Sequence, residues 1–400
     1  MPLAAVTITS QFFRASGGAI APELTRDLGL TPSGLALANA AFFMSFLVSQ
    51  IPLGMLFDRI GPRLTVTALS GLTVLGALLH AGAASAEVLV VSRAAIGLGC
   101  AGSFMAAVVL CARWYAPDRF STMLSRIFAA SNLGYVIAGT PWALLASAVG
   151  WRASFVVAAL ASAALGIVFY LLVRDGPPGA PPLRRESMAD IVRGLRQVWS
   201  TPGLLPILGM HTVAYASMLT VLSLWAGPYL HDVYGLDAVE RGNVLLVMGA
   251  AQIAGVLAYG PLDRVFDSRK RVIMGGGVLT VATLAALAAM PSLSAGAAEA
   301  LLVILCLVTA YGVLIVAHGR NLFPPHLIGR GVTTVNLAQV VGVTVMPIAT
   351  GMLVGLFPQT DGVSPPAAYQ VAFAAIAVSV VLGMAGYSRA RDARPRDDSR

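Results

Sequence analysis

The sequence predicts an all-α membrane protein of twelve transmembrane helices, arranged as two pseudo-symmetric six-helix bundles. Three observations carry that reading: a deficit of charge, apolar runs of bilayer-spanning length at regular intervals, and arginines confined to alternate connections. Of 400 residues, 57% are hydrophobic and only 11% are charged, whereas a soluble domain carries about 25% charged residues. The shortfall means that most of the surface faces lipid rather than water.

A helix crosses the hydrocarbon core with about 20 apolar residues. Uncharged runs of that order lie at 28–57, 64–86, 94–112, 127–151, 153–173, 197–230, 242–262, 272–298, 300–319, 331–360 and 362–388. Segment 1–22, apolar except for Arg14, makes twelve. Its start, MPLAAVTITSQFF, has no cationic lead before the apolar stretch, so no cleaved signal peptide is predicted. The longest polar interruption, 174–201, begins Pro/Gly-rich and ends in MADIVRGLRQVW. The former reads as a linker and the latter as an amphipathic helix on the cytoplasmic membrane face. The predicted organisation is therefore a bundle at 1–174, a cytoplasmic linker at 175–201, a bundle at 202–388 and a disordered charged tail at 389–400.

Orientation follows from the cations. An even number of spans puts both termini on one side. With the N-terminus inside, the inner connections and tail hold 21 of the 26 Lys and Arg residues, and the outer loops hold only Arg26, Arg152 and Arg241. That bias predicts a bacterial-type inner membrane with both termini cytoplasmic. The net charge of +8 does not signal nucleic acid, because such binding needs a solvated basic face and these arginines punctuate apolar runs. Cys100, Cys111 and Cys306 fall inside apolar runs without metal or redox spacing, and read as small buried hydrophobes.

Internal repetition supports the two halves. The connection after the second span reads GMLFDRIGPR, with Gly54, Asp58, Arg59, Gly61 and Arg63. The one after the eighth reads GPLDRVFDSRKR, with Gly260, Asp263, Arg264, Arg269, Lys270 and Arg271. The second copy has one residue fewer between its glycine and aspartate, and Phe266 stands where Gly61 stands. The first copy resembles the G-x-L-x-D-R-x-G-x-R signature of the major facilitator superfamily. LVVSRAAIGLGCAG in the fourth span, with Leu89, Arg93, Gly97 and Gly99, is similar to that family's R-x-x-x-G-x-G pattern. The resemblance implies a secondary transporter working as a monomer by alternating access, with spans 1, 4, 7 and 10 lining a central cavity. It also implies gating roles for Gly54, Asp58, Arg59, Gly61 and Arg63, with Arg113 as a partner for Asp58, and for Asp263 and Arg264 in the second copy.

Charge within the bilayer costs about 2.5–3.5 kcal/mol and usually serves function. Arg14 lies roughly 18–20 Å from the cytoplasmic end of its span, and Arg93 roughly 9 Å from the outer face of the fourth. No Asp or Glu falls inside an apolar core; Glu23 and Glu87 are the nearest acids. A cationic interior without a carboxylate points to an anionic solute, against the bland readings of snorkelling or backbone pairing. The second half offers aromatics and amides suited to an organic solute: His211, Tyr215, Met218, Trp225 and Tyr229 in the seventh span, Tyr311 and His318 in the tenth, and Gln252, Asn336 and Gln339, with Asn132 in the fifth. His211 and His318 are the candidate proton carriers, weighed against a buried structural histidine and a helix-end cap.

Other classes are weaker. Met210, His211 and Met218 raise a copper-like importer without a paired ligand spacing. NLGYVIAGTPWALL, with Gly134, Gly139 and Pro141, departs from the fifth-span run of the family's drug–proton antiporters. A transporter-like sensor would need a signalling domain. No nucleophile elbow, HExxH or nucleotide-binding loop appears, so neither an enzyme nor a cofactor is predicted. The partners expected are a small-molecule substrate and the lipid bilayer.

Overall fold

The computed structural model describes residues 2–115, 117–177, 188–290, 293–324, 327–360 and 362–393. Within them the chain forms α1 (Pro2–Ala19), α2 (Ala21–Leu28), α3 (Pro32–Ala81), α4 (Ala86–Cys100), α5 (Ser103–Trp114), α6 (Pro117–Ser131), α7 (Leu133–Ile137) and α8 (Thr140–Leu172). It continues with α9 (Met188–Trp199), α10 (Leu204–Thr220), a π-helical turn (Val221–Trp225), α11 (Ala226–Tyr234), α12 (Ala238–Phe266), α13 (Arg269–Ala289), α14 (Ala295–Val308), α15 (Gly312–Arg320), α16 (Ile328–Val354) and α17 (Pro366–Tyr387).

Among the described residues, ten stretches are long and apolar enough to cross a membrane. One of them, Ala129–Leu172, is 44 residues long, about twice a single crossing. Gly150, at φ 80°, divides it into two passes. With the 18-residue α1 the passes number twelve, so the protein is a multi-pass integral membrane protein. The helices overrun the uncharged runs. The fourth pass starts at Ala86 rather than 94, with Glu87 in its first turn, where the helix dipole favours an acid. The seventh starts at Leu204 rather than 197, because MADIVRGLRQVW forms its own helix.

The chain divides into two compact units, Met1–Arg185 with Leu236–Gly249, and Glu186–Gly235 with Ala250–Arg400. Segment 236–249, which chain order gives to the second bundle, thus belongs to the first unit. Gly139 abuts the backbone of Leu246, Gly242 lies on Ala143, and Gly249 lies on Tyr135.

Each unit repeats the same devices. In the first, Gly134 of α7 closes onto the Ile8 carbonyl of α1; in the second, Gly342 of α16 closes onto the Thr212 carbonyl of α10. A Cβ at either glycine would collide with backbone, so only glycine permits the approach. The second device is a reciprocal clasp at the helix ends. Asp175, beyond α8, accepts the Arg63 N–H at 2.7 Å, and Arg63 Nε donates to the Tyr170 carbonyl at 2.7 Å with its guanidinium 4.3 Å from the Tyr170 ring. Asp392, beyond α17, accepts the Lys270 N–H at 3.0 Å and the Ser268 hydroxyl at 2.6 Å. Lys270 Nζ donates to the Ser388 and Ala390 carbonyls at 2.6 and 2.8 Å. An acid thus satisfies amide groups at one helix start, and the cation there satisfies carbonyls at the other helix end.

Two expectations change here. The left-handed residue of the first loop is Gly61, at φ 85°, but its counterpart is Asp267, at φ 46°, and not Phe266. Aspartate is one of the few side chains that tolerate this conformation. Residues 389–393, assigned to a disordered tail, are ordered: Ala390 is buried, and the Arg269 N–H donates to the Ala393 carbonyl at 3.3 Å. The start of α13 needs these partners. Residues 394–400 and linker residues 178–187 lie outside the described residues.

Asp392→Ala is expected to cost about 1 kcal/mol, the usual value of a lost helix cap. Thermal unfolding of the purified protein should show a lower midpoint, partly restored in Asp392→Asn; an unchanged midpoint would mean that the clasp is not stabilising.

Candidate functional site

In the first unit, α1 presents Arg14 between buried flanks, with Phe12, Phe13 and Ala15 all packed inside. Arg14 itself is half-buried. Its Nε is shielded from solvent with no hydrogen-bond partner, and its guanidinium carbon lies 4.7 Å from the centre of the Phe46 ring. Arg93 of α4 is only 4% exposed; its Nη1 donates to the Phe13 carbonyl at 3.0 Å, and its guanidinium lies 5.1 Å from the Phe42 ring. Arg93 therefore holds the carbonyl of the residue just before Arg14, which puts the two cations at one level. An aromatic face contributes about 0.5–2 kcal/mol toward a cation, less than a full ion pair supplies in a dry interior. Among the described residues neither guanidinium has a carboxylate partner within ion-pair distance.

The two acids nearest in sequence are used elsewhere or point away. Glu87 is exposed on the first turn of α4. Glu23 Oε1 accepts from Arg241 Nη2 at 2.5 Å. Arg241, read from sequence as an outer-loop cation, is 1% exposed and also donates to the Leu236 carbonyl at 2.8 Å and the Ala19 carbonyl at 3.3 Å. Nearby, Asp27 Oδ2 accepts from Trp151 Nε1 at 2.9 Å and Arg152 Nη1 at 2.8 Å. These bonds, that of Trp151 first, hold its carboxyl below the ordinary range. His80 is a further buried polar group that sequence reasoning missed. Its Nδ1 lies 3.0 Å from the Ser92 hydroxyl, beside Arg93, and its ring stacks on Phe155 at 3.8 Å.

In the second unit, His211 is 2% exposed, and neither ring nitrogen has a hydrogen-bond partner. Tyr215, one turn on, is half-buried. Beyond it the helix passes through the π-helical turn, where the Ala226 N–H reaches back to the Val221 carbonyl. Pro228 explains the widening, since it removes an N–H and its ring would press on the carbonyl of residue 224 in a regular helix. Trp225 is fully inside, its Nε1 donating to the Thr350 hydroxyl at 2.9 Å, with Tyr369 edge-on at 6.2 Å. Tyr311 is fully buried against Gly276, with Tyr259 at 6.1 Å. His318 Nδ1 lies 2.6 Å from the Tyr387 hydroxyl. Asn336 is half-buried on α16, and Gln252 is 7% exposed with its amide oxygen unpartnered.

Of the gating candidates, Arg59 and Arg264 are both exposed, Gly54 and Arg113 are half-buried, Arg63 forms the clasp described above, and Gly61 lies against the Asp175 carboxylate of that clasp. Asp263 pairs with Arg269 at 3.1 Å. The side chain of Asp58 lies outside the described residues.

Twelve apolar passes in two repeated units, each enclosing polar groups at membrane depth, define a polytopic helical protein built around internal duplication. Residues 3–319 match the family model of the Major Facilitator Superfamily, and the chain belongs to that family. It is 24% identical over 285 residues to a protein of Cupriavidus necator named probable sulfoacetate transporter SauU, covering 66% of this chain and 64% of that one. It is 29% identical over 323 residues to a chloramphenicol resistance protein of Streptomyces lividans, covering 78% and 76%. The fold is similar to that of a bacterial homolog of the human lysosomal transporter Spinster, with a TM-score of 0.77 at 16% identity over 96% of this chain and 95% of the other.

Removing one partner of a buried ion pair costs about 3–5 kcal/mol when the other charge stays dry. Glu23 keeps some solvent contact, at 28% side-chain exposure, so Arg241→Gln is expected to fall at or below that range. A thermal midpoint equal to that of the wild type would show the pair to be energetically idle.

Proposed function

We propose that the protein is a secondary active transporter of a small organic anion, working by alternating access with proton coupling. The observation that carries this reading is Arg14, a membrane-depth guanidinium with a shielded, unpartnered nitrogen and no carboxylate within ion-pair distance among the described residues. A carboxylate or sulfonate supplies two oxygens in the geometry of a guanidinium fork and relieves the cost of the orphaned donor. Arg93 positions Arg14 through the Phe13 carbonyl. In the second unit, Tyr215, Asn336, Trp225 and Tyr311 are the residues we assign to substrate binding. The naming of a relative as a sulfoacetate transporter supports an anion.

His211 is assigned the coupling proton, since a buried imidazole free at both nitrogens can take one up without breaking a bond. His318, bonded to Tyr387, is the second candidate. The gate is assigned to Gly54, Asp58, Arg59, Gly61, Arg63 and Arg113, with Asp263 and Arg264 in the second half. The proposed setting is a bacterial inner membrane, with both termini cytoplasmic and the monomer as the working unit. Proton-driven drug efflux is the second reading, favoured by the similarity to a chloramphenicol resistance protein. The departures around Gly134, Gly139 and Pro141 weigh against it.

In proteoliposomes screened with small carboxylates and sulfonates, Arg14→Gln should reduce uptake of the transported anion by about tenfold or more, the value of one charged hydrogen bond. Arg14→Lys should retain part of it. Normal uptake by Arg14→Gln would refute anion recognition at this residue. Collapsing the pH gradient should slow wild-type uptake, and His211→Phe should exchange the anion between its two sides without responding to the gradient; a gradient response preserved in that variant would remove His211 from coupling.

A further inference from the structure

His80 is a buried polar group that neither the helix-end clasps nor the assigned anion contacts use. It stands one residue from the end of α3 and is 2% exposed. Its Nδ1 lies 3.0 Å from the Ser92 hydroxyl, and that hydroxyl donates its own proton to the Leu89 carbonyl at 2.7 Å. The Ser92 oxygen is therefore the acceptor, His80 Nδ1 carries the hydrogen, and Nε2 is left with a bare lone pair. Among the described residues Nε2 has no hydrogen-bond partner. The ring is held in place by Phe155, stacked at 3.8 Å, and by Trp151, edge-on at 6.0 Å.

The imidazole belongs to the same cluster as the two membrane-depth arginines. It rests on Ser92, next to Arg93 in the chain, and Arg93 holds the carbonyl of Phe13, next to Arg14. Phe155, against the imidazole, also stacks on Phe13 at 6.4 Å. Arg93 is the charged group of α4 that acts on the ring, and Glu87 on the same helix is exposed. From α8 and α2, Arg152 and Asp27 pair with each other at 2.8 Å, and Arg152 Nη2 donates to the Ala83 carbonyl at 3.3 Å. Beyond Arg63 at its other end, this half of α3 adds no further charge. A proton on Nε2 breaks no bond, but it sets a third cation beside two in a place shielded from water. A bound anion offsets that repulsion. Anion and proton together leave the net charge of the cluster unchanged, so each favours the other by the same factor. We propose that His80 is a proton-binding site linked to the anion site: a proton from water adds to Nε2, giving an imidazolium that keeps its bond to Ser92, as the anion adds to Arg14. This rests on the anion reading of Arg14 and deepens it, placing a proton in the same unit as the anion and separately from His211.

The test measures binding of ethanesulfonate to the purified full-length protein by calorimetry, because a sulfonate stays ionised across the range in which imidazole titrates. Wild type is compared with His80→Asn, which keeps a donor at the place of Nδ1, and with His80→Phe, which keeps a ring on Phe155. Each is also made in a His211→Phe background, so that a proton at His211 is counted separately. The wild type is expected to bind about fivefold more tightly at about pH 5.5 than at about pH 7.5. Proton uptake on binding, read from buffers of different ionisation heat, should accompany the change. Both effects should shrink in the His80 variants whose thermal midpoints match the wild type. Wild-type pH response and uptake in those variants would overturn the proposal while leaving the anion site standing. So would binding without proton uptake by His211→Phe with His80 intact, a result that does not depend on how the His80 variants fold. No binding of ethanesulfonate or propionate at any pH would overturn the anion reading, and this proposal with it.

Discussion

A guanidinium at membrane depth has to be neutralised, solvated or shared, because no lipid tail can do any of these. This single constraint organises the first unit. Arg93 is shared: a backbone carbonyl takes one of its donors and an aromatic face lies over its charge. Arg241 is neutralised, by Glu23 and two carbonyls. Arg14 receives only the face of Phe46 and keeps a shielded nitrogen without a partner. Three arginines in one unit thus show three degrees of satisfaction, and the least satisfied is the one to which a solute anion adds the most.

The duplicated architecture meets a related constraint on backbone ends. Each bundle must close its turns without leaving helix-terminal amides and carbonyls bare. Both units solve this with an acid placed after the last helix and a cation at the start of the third. Asp175 with Arg63 in one matches Asp392 with Lys270 in the other. The side chains differ while the electrostatic arrangement is kept. The same holds at Gly134 and Gly342, where two unlike surroundings demand the same absence of a side chain.

The passes, their number and the repeat are legible in the sequence because lipid imposes length and polarity directly. Helix ends are less legible. Charges that bound an uncharged run, such as Glu87, sit inside the helix and favour its first turn. The separate helix at Met188–Trp199 is legible in MADIVRGLRQVW, but the uncharged run 197–230 hides where the following pass begins, at Leu204. Pairings distant in the chain were hidden. Nothing in a single sequence joins Arg241 to Glu23, His80 to Ser92, or the tail residue Asp392 to Ser268. The loop comparison that set Phe266 opposite Gly61 failed because one copy carries an extra residue and moves its left-handed position to Asp267. Arg14 was found from composition alone, since a lone charge in an apolar run is its own signal. The aromatic setting that leaves it short of partners required the structure.

The measurement that bears most directly on this account is calorimetric binding to purified protein of a transported carboxylate and of its uncharged amide, with wild type and Arg14→Gln compared side by side. If the Arg14 charge selects the solute, the carboxylate binds the wild type at least tenfold more tightly than the amide does, and that preference disappears in the variant. Equal binding of acid and amide by the wild type, or a preference that survives loss of the guanidinium, would contradict it.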